Sequence, residues 1–417
     1  MIVRKLRPLR ARREQAGGRR WLRRSLLGGT ALLIIVGIFA LSLYTWARLS
    51  TDRSTIARAL IWREADVGDQ HRFPSRPIPA GGRASVLPAG PKIDLRVAAP
   101  DRDNGTARLD DVLRGTDTRA FVVVHGGRVV YERYEGGSGP KSLETSFSVA
   151  KSFVSTLVGI AIDEGRIGSV DDPVTRYVPE LAARDPRFQQ ITVRDLLTMS
   201  SGLRYQESSF PSPRGDDTYT YYGVDLRKDA LERTEIEQAP GHKWHYNNYN
   251  PLLLGLVLER ATGMSVADYM ASRLWQPLGA GSDASWSLDS RRSGFEKMES
   301  GLNATALDHA RFGLLFLHGG QWNGRRIVSR DWVRSAASVH TATDFPNPYG
   351  YFWWIDGKRP DRFYAFGNYG QYIYVDPHAD AVVVRLGSDW GFGNEAWLAT
   401  FRAITDQVAG GEAGGVR

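Results

Sequence analysis

The chain has 417 residues, 42% of them hydrophobic and 11% aromatic, enough for two or three structural units with a sizeable core. Its net charge of +8 is local: the first 24 residues hold ten Lys or Arg against one Glu, leaving 44 basic against 45 acidic side chains in the rest, so no nucleic-acid partner is expected. The absence of cysteine excludes thiol nucleophiles, disulfides and cysteine-held metals.

Residues 1–24 read as a basic cytoplasmic tail. Residues 25–47 carry no charge, a run of 23 that can cross a bilayer at about 1.5 Å per residue. The arginines before it, with Tyr44 and Trp46 at its far end, follow the positive-inside and aromatic-belt rules. The sequence therefore predicts a single-pass anchor in the inner (cytoplasmic) membrane, with the remaining chain periplasmic or otherwise extracytoplasmic. A cleaved signal peptide is the alternative, and Arg19-Arg20-Trp21-Leu22 fits a twin-arginine signal. The length of the run and the lack of a small-x-small cleavage site favour the anchor. Residues 48–104, with a Pro- and Gly-rich passage at 73–82, read as a connector lying along the next unit.

The globular unit is expected over residues 105–417. At residues 120–134 two β-rich runs flank Gly126-Gly127, a hairpin signal. Residues 146–162 come next, apolar at a helical period and carrying one charge, Lys151. A lone ammonium in a buried helix is costly unless it is paired or gives up its proton. Ser148 lies three residues earlier, on the same helix face. A hydroxyl beside a lysine of depressed pKa is an activated nucleophile; a plain serine and a snorkelling lysine form the alternative. With only eight lysines in an arginine-rich chain, the choice of the residue that can deprotonate carries weight.

From residue 170 to 334 the signals are mainly helical, at 193–199, 249–262, 266–275 and 306–318. Strand signals return at 350–354, 363–366, 371–375 and 381–386, before a last helix at 395–408. A sheet assembled from both ends of the unit, with a helical insert over about 165–335, is an α+β architecture.

Two further stations accompany Ser148 and Lys151. Tyr246, in Trp244-His-Tyr-Asn-Asn248, sits on a loop just before a helix, where it can shuttle protons if neighbouring cations lower its pKa from about 10; a loop aromatic packed on the core is the alternative. Gly367-Asn-Tyr-Gly370-Gln371 lies on a predicted strand, where glycines mark close backbone approach and an amide can face a substrate oxygen, or mark a plain β-bulge.

The order and spacing of the three stations resemble the serine β-lactamase and penicillin-binding-protein superfamily. The nearest branch is the class C-like one that uses Tyr-x-Asn, with esterases, D-amino-acid peptidases and 6-aminohexanoate-dimer hydrolase as relatives. The resemblance spans about residues 105–405 and includes Gly126-Gly-Arg-Val-Val-Tyr-Glu, Ser148-Val-Ala-Lys151, Leu196-Leu-Thr-Met-Ser-Ser-Gly202, Tyr246-Asn-Asn248 and Gly367-Asn-Tyr-Gly-Gln371. It implies the β-lactamase/transpeptidase-like fold, an antiparallel sheet flanked by helices plus a mainly helical subdomain, here behind an N-terminal transmembrane helix. It also implies a serine hydrolase without cofactor or metal. Ser148 would be acylated, Lys151 would keep its proton inventory, and Tyr246 would accept the serine proton and pass it to the leaving group. Asn248 would hold Lys151 and substrate, and the N–H groups of Ser148 and Gln371, beside Gly370, would form the oxyanion hole.

Where lactamases carry Lys-Thr-Gly this chain has Asn368-Tyr369-Gly370, so the cation that binds a drug carboxylate is missing and a small ester or amide is the expected substrate. Tyr369 and the aromatic run 349–354 would line an apolar acyl pocket. A sensor or binding module that acylates without turnover, a D-amino-acid peptidase and a β-lactamase are the alternatives.

Overall fold

The computed structural model describes residues 11–82, 84–98, 105–208, 212–340 and 348–411; much of the expected basic tail lies outside them. The chain divides into two compact units, one ending at Arg63 and one beginning at Glu64. In the first, helix α1 (Ala11–Leu49) contains the 21-residue stretch Gly29–Leu49, with a mean hydropathy of 2.0. Its length and composition suit a membrane span and a signal sequence alike. Helix α2 (Thr55–Trp62) begins at Ser54, whose hydroxyl accepts the Ala57 N–H at 3.2 Å.

The second unit begins inside the stretch expected as a connector. Its strand β1 (Ser75–Ile78) is antiparallel to a strand more than 200 residues later. Strands β2 (Thr118–His125) and β3 (Arg128–Tyr134) form the expected hairpin, turned by Gly126 and Gly127 at φ 55° and 69°, values that L side chains rarely adopt. Strand β4 (Glu144–Thr145) leads into a 3₁₀ turn, Phe147–Val149, and then helix α3 (Ala150–Asp163). Helix α4 (Tyr249–Thr262), strands β5 (Ala284–Ser287) and β6 (Leu302–Ala304), and helix α5 (Ala306–Leu317) come after it. The C-terminal part supplies β7 (Trp354–Ile355), β8 (Phe363–Gly367), β9 (Gln371–Asp376), β10 (Ala381–Gly387) and helix α6 (Asn394–Gly411).

The main sheet is antiparallel, in the order β7-β8-β9-β10-β2-β3, so strands from both ends of the unit lie side by side as the sequence predicts. Strand β2 reads Ala-Phe-Val-Val-Val through its middle because both of its faces are buried. Val122 and Val124 join a core that includes α3, α4 and α5; Phe121 and Val123 join a second core with Trp397 and Phe401 of α6. A smaller sheet, in the order β1-β5-β6-β4, lies within the same unit.

One expected strand differs. Residues 350–354 are largely a turn, with Phe352 at φ 59° and the Gly350 N–H donating to the Trp353 carbonyl, so only Trp354 and Ile355 pair with β8. The aromatic run mimics strand composition, but its side chains fill a bend. Helix α3 matches its expectation closely, and Lys151 stands in its first turn.

Candidate active site

The site forms where the Phe147–Val149 turn meets β8. Phe147 holds φ 44°, an uncommon conformation for a bulky residue, and its ring packs on Tyr369 with centroids 5.4 Å apart. This bend sets Ser148 at the mouth of α3. One turn on, Lys151 is 1% exposed and its Nζ donates to Ser148 Oγ at 2.9 Å and to the Glu299 carbonyl at 2.8 Å. Burial pushes the Lys151 ammonium down to about 7, against the opposing pull of Glu299 and Glu207. Near neutrality a large fraction of Lys151 is therefore a free amine touching the serine.

Tyr246 reaches the same serine from the loop before α4. That loop is pinned to the segment after residue 198: the His245 N–H donates to Met199 O, and Asn247 Nδ2 to Leu203 O. The Tyr246 and Ser148 side chains face the same cavities, and Lys151 Nζ lies 5.0 Å from the Tyr246 ring centroid. Burial raises the Tyr246 pKa well above its ordinary value, with Glu207 and Glu299 adding to the rise. The lowered pKa that the sequence reading made the condition for a proton shuttle is therefore not met, because desolvation of the hydroxyl and the nearby carboxylates oppose ionisation. Tyr246 is consequently a neutral phenol at physiological pH.

Asn248 lines the same cavity as Ser148, but its Nδ2 donates to the Tyr205 hydroxyl at 2.9 Å, and its buried Oδ1 meets no partner among the described residues. The contact of Asn248 with Lys151 that the resemblance implies is absent from this arrangement; Lys151 is held instead by the Glu299 carbonyl.

The third station occupies a different register from the one expected. Gly367, the last residue of β8, packs so closely on the Phe147–Val149 turn that a Cβ there would stand 2.5 Å from Ser146 O and 3.0 Å from Ser148 N. Asn368 continues from it into the cleft. The backbone N–H groups of Ser148 and Asn368 donate to no described residue. Gly370 and Gln371 lie on the far side of the turn: a Cβ on Gly370 would meet the Arg385 guanidinium, and the Gln371 side chain bonds Asn368 O and Gly387. Of the two ends of the turn it is therefore Asn368, and not Gln371, that lies beside Ser148, because the pairing of β8 with β9 decides which end meets it.

Two cavities, of about 480 and 450 Å³, share Ser148, Glu207, Tyr246 and Asn368 in their walls. The first is an aromatic slot of Trp244, Tyr246, Trp354, Tyr364 and Phe366, in which Trp354 stacks between Tyr246 and Tyr364 at 6.4 Å on each side. Trp354 is the part of the expected aromatic run that reaches the slot. Tyr369 lines the second cavity, where its hydroxyl donates to the Ala65 carbonyl. That cavity is acidic, with Glu64, Glu207, Asp217 and Glu299. Glu207 and Glu299 are not foreseen from the sequence because they come from loops without a motif; position 368 is visible there only as part of a glycine-bearing turn.

Among the described residues neither cavity has Lys, Arg or His in its wall, whereas five carboxylates are present once Glu395 at the end of the slot is included. Glu299 is paired with Lys297 at 2.7 Å, and Glu395 with Lys358 and Arg402. Glu64, Glu207 and Asp217 have no such cation among the described residues and give the cleft its negative field.

The Beta-lactamase family profile matches residues 109–405. The chain is 32% identical to the 6-aminohexanoate-dimer hydrolase of Paenarthrobacter ureafaciens over 324 residues, 73% of this chain and 80% of that protein. It is 31% identical to the esterase EstB of Burkholderia gladioli over 210 residues, 45% of this chain and 53% of that one. A solved structure from Bacillus anthracis, described as a candidate 6-aminohexanoate-dimer hydrolase, superposes with a TM-score of 0.74 at 25% identity, covering 83% of this chain and 94% of the other. On the extent of these matches, and on the β-lactamase/transpeptidase-like arrangement of sheet and helices, the chain belongs to the Beta-lactamase family, a hydrolase of the serine β-lactamase superfamily.

Proposed function

We propose that this protein is a membrane-anchored, extracytoplasmic serine hydrolase that cleaves a small ester or amide through a Ser148 acyl-enzyme. The observation that carries the reading is the 2.9 Å contact between Ser148 Oγ and a fully enclosed lysine whose pKa burial has brought to about 7. As the Ser148 oxygen bonds to the substrate carbonyl carbon, its proton passes to neutral Lys151. Tyr246, protonated and beside the same serine, delivers its proton to the departing alkoxide or amine and regains one from Lys151. The carbonyl oxygen takes up negative charge between the N–H groups of Ser148 and Asn368. Water then repeats the sequence on the acyl-enzyme and releases the acid. Two relatives are in keeping with this range, one named a 6-aminohexanoate-dimer hydrolase and one an esterase.

The charge of the cleft narrows the substrate. A β-lactam or a peptide C-terminus brings a carboxylate, and the described walls offer it carboxylates and no cation. Neutral or cationic acyl compounds suit the site better. A fluorophosphonate probe should label the purified protein, and labelling should vanish in Ser148→Ala. Labelling that survives the substitution would remove Ser148 as the nucleophile. Sustained turnover of an activated ester separates an enzyme from a sensor that stops after one acylation.

A further inference from the structure

The carbonyls of the turn Asn368-Tyr369-Gly370 are all held from behind. Gln371 Nε2 takes Asn368 O at 2.9 Å, and Arg385 Nη1 takes Tyr369 O at 3.1 Å and Gly370 O at 2.8 Å. The guanidinium uses its remaining donors in the same way, Nη2 on Thr116 O at 2.7 Å and Asp389 O at 3.1 Å, and Nε on Thr118 Oγ1 at 3.0 Å. Arg385 has no exposed surface, and its charge rests on five uncharged oxygens and the face of Trp397, 4.1 Å from the ring centroid. No carboxylate forms an ion pair with it among the described residues. Burying a guanidinium without a carboxylate is expensive, and a lysine, with three donors on one nitrogen, could not serve five oxygens. Room for it depends on glycine: a Cβ on Gly370 or Gly387 would stand 2.0 or 2.6 Å from Arg385 Nη1.

A clamp of this kind is more than the turn needs in order to close. The hairpin register already pairs Gly367 with Gln371. What the extra bonds do is fix the three peptide planes that follow the Asn368 Cα, and so anchor Asn368 from its downstream side; its own N–H, in the preceding plane shared with the Gly367 carbonyl, is accepted by no described residue. We propose that Arg385 is a positioning residue for acyl transfer: gripping the turn from behind, it holds the Asn368 N–H where the substrate oxygen becomes an anion. An oxyanion donor displaced by a fraction of an ångström loses much of its effect on the transition state and little of its effect on the bound substrate. The inference rests on the acyl-transfer reading of the cleft.

The test compares the full-length wild type with Arg385→Lys and Arg385→Gln. Steady-state ester hydrolysis, the affinity of an aryl boronate as a mimic of the tetrahedral anion, and the pH profile of kcat/KM are measured beside thermal unfolding. Both variants should lose about a hundredfold in kcat/KM, with KM changed by less than threefold and boronate affinity weakened in parallel. The ascending pH limb should stay in place, since the contact between Lys151 and Ser148 is untouched. Normal kcat/KM in Arg385→Lys, a fall in kcat with boronate affinity unchanged, or a displaced pH limb would each overturn the proposal. If neither variant folds, Gln371→Ala, which frees the Asn368 carbonyl together with the backbone of Gly387 while leaving the Arg385 contacts in place, carries the same test with an expected loss of about tenfold. A wild type that neither turns over esters nor binds the boronate would instead refute the acyl-transfer reading itself.

Discussion

Lys151 occupies a position at which function and stability pull in opposite directions. Its folded-state pKa is depressed from 10.5 to about 7 by burial. Between those two values the unfolded chain binds a proton that the folded chain does not, so stability rises with pH across that window, and below pH 7 the folded protein carries the full cost of an enclosed charge. Lys151→Met removes both the amine and the cost. It should lower ester turnover by at least a thousandfold, yet raise the unfolding temperature by about 2–4 °C at pH 6. The gap between variant and wild type should narrow toward pH 10, which differential scanning calorimetry at several pH values will show. If the neutral amine is the base, kcat/KM should climb with pH to a midpoint near 7. A flat profile from pH 6 to 8 would assign the serine proton to another group. Tyr246 cannot supply that limb, because burial and the nearby carboxylates move its titration upward.

At the scale of elements, the critical contact is between the end of β8 and the Phe147–Val149 turn. Gly367 is obligatory there for lack of space, since an added methyl would overlap Ser146 O and crowd Ser148 N. Gly367→Ala should separate strand from turn and reduce turnover by at least a hundredfold while the circular dichroism spectrum stays native. Wild-type rates would show that the turn can shift without harm. The elements themselves are largely legible in the sequence. Helix α4 runs over Tyr249–Thr262 as expected, and the β2–β3 hairpin closes at its glycine pair, because apolar periodicity and turn chemistry are local signals. The register at which β8 meets Ser148 is not local. It depends on a pairing of β8 with β9 and on a contact with a turn some 220 residues earlier, so position 368 could not be told from 371 in advance. Phe352 marks the same limit, an aromatic in a bend whose composition is that of a strand.

For the molecule as a whole, the cleft draws its walls from Glu64 and Ala65, at the start of the second unit, through to Glu395 in its last helix. Its negative field acts before contact is made. Matched activated esters, one neutral and one bearing a carboxylate on the acyl chain, should differ by at least tenfold in kcat/KM at low ionic strength, and the difference should shrink as salt screens the field. Equal rates at low salt would mean that Glu64, Glu207 and Asp217 do not govern access. The same field acts again once the bond is broken. Ester or amide hydrolysis turns an uncharged acyl group into a carboxylate anion, and that anion is born among carboxylates with no fixed cation in the described cavity walls to retain it. The field should therefore favour release of the acid, and added product acid should inhibit ester turnover only weakly at low ionic strength.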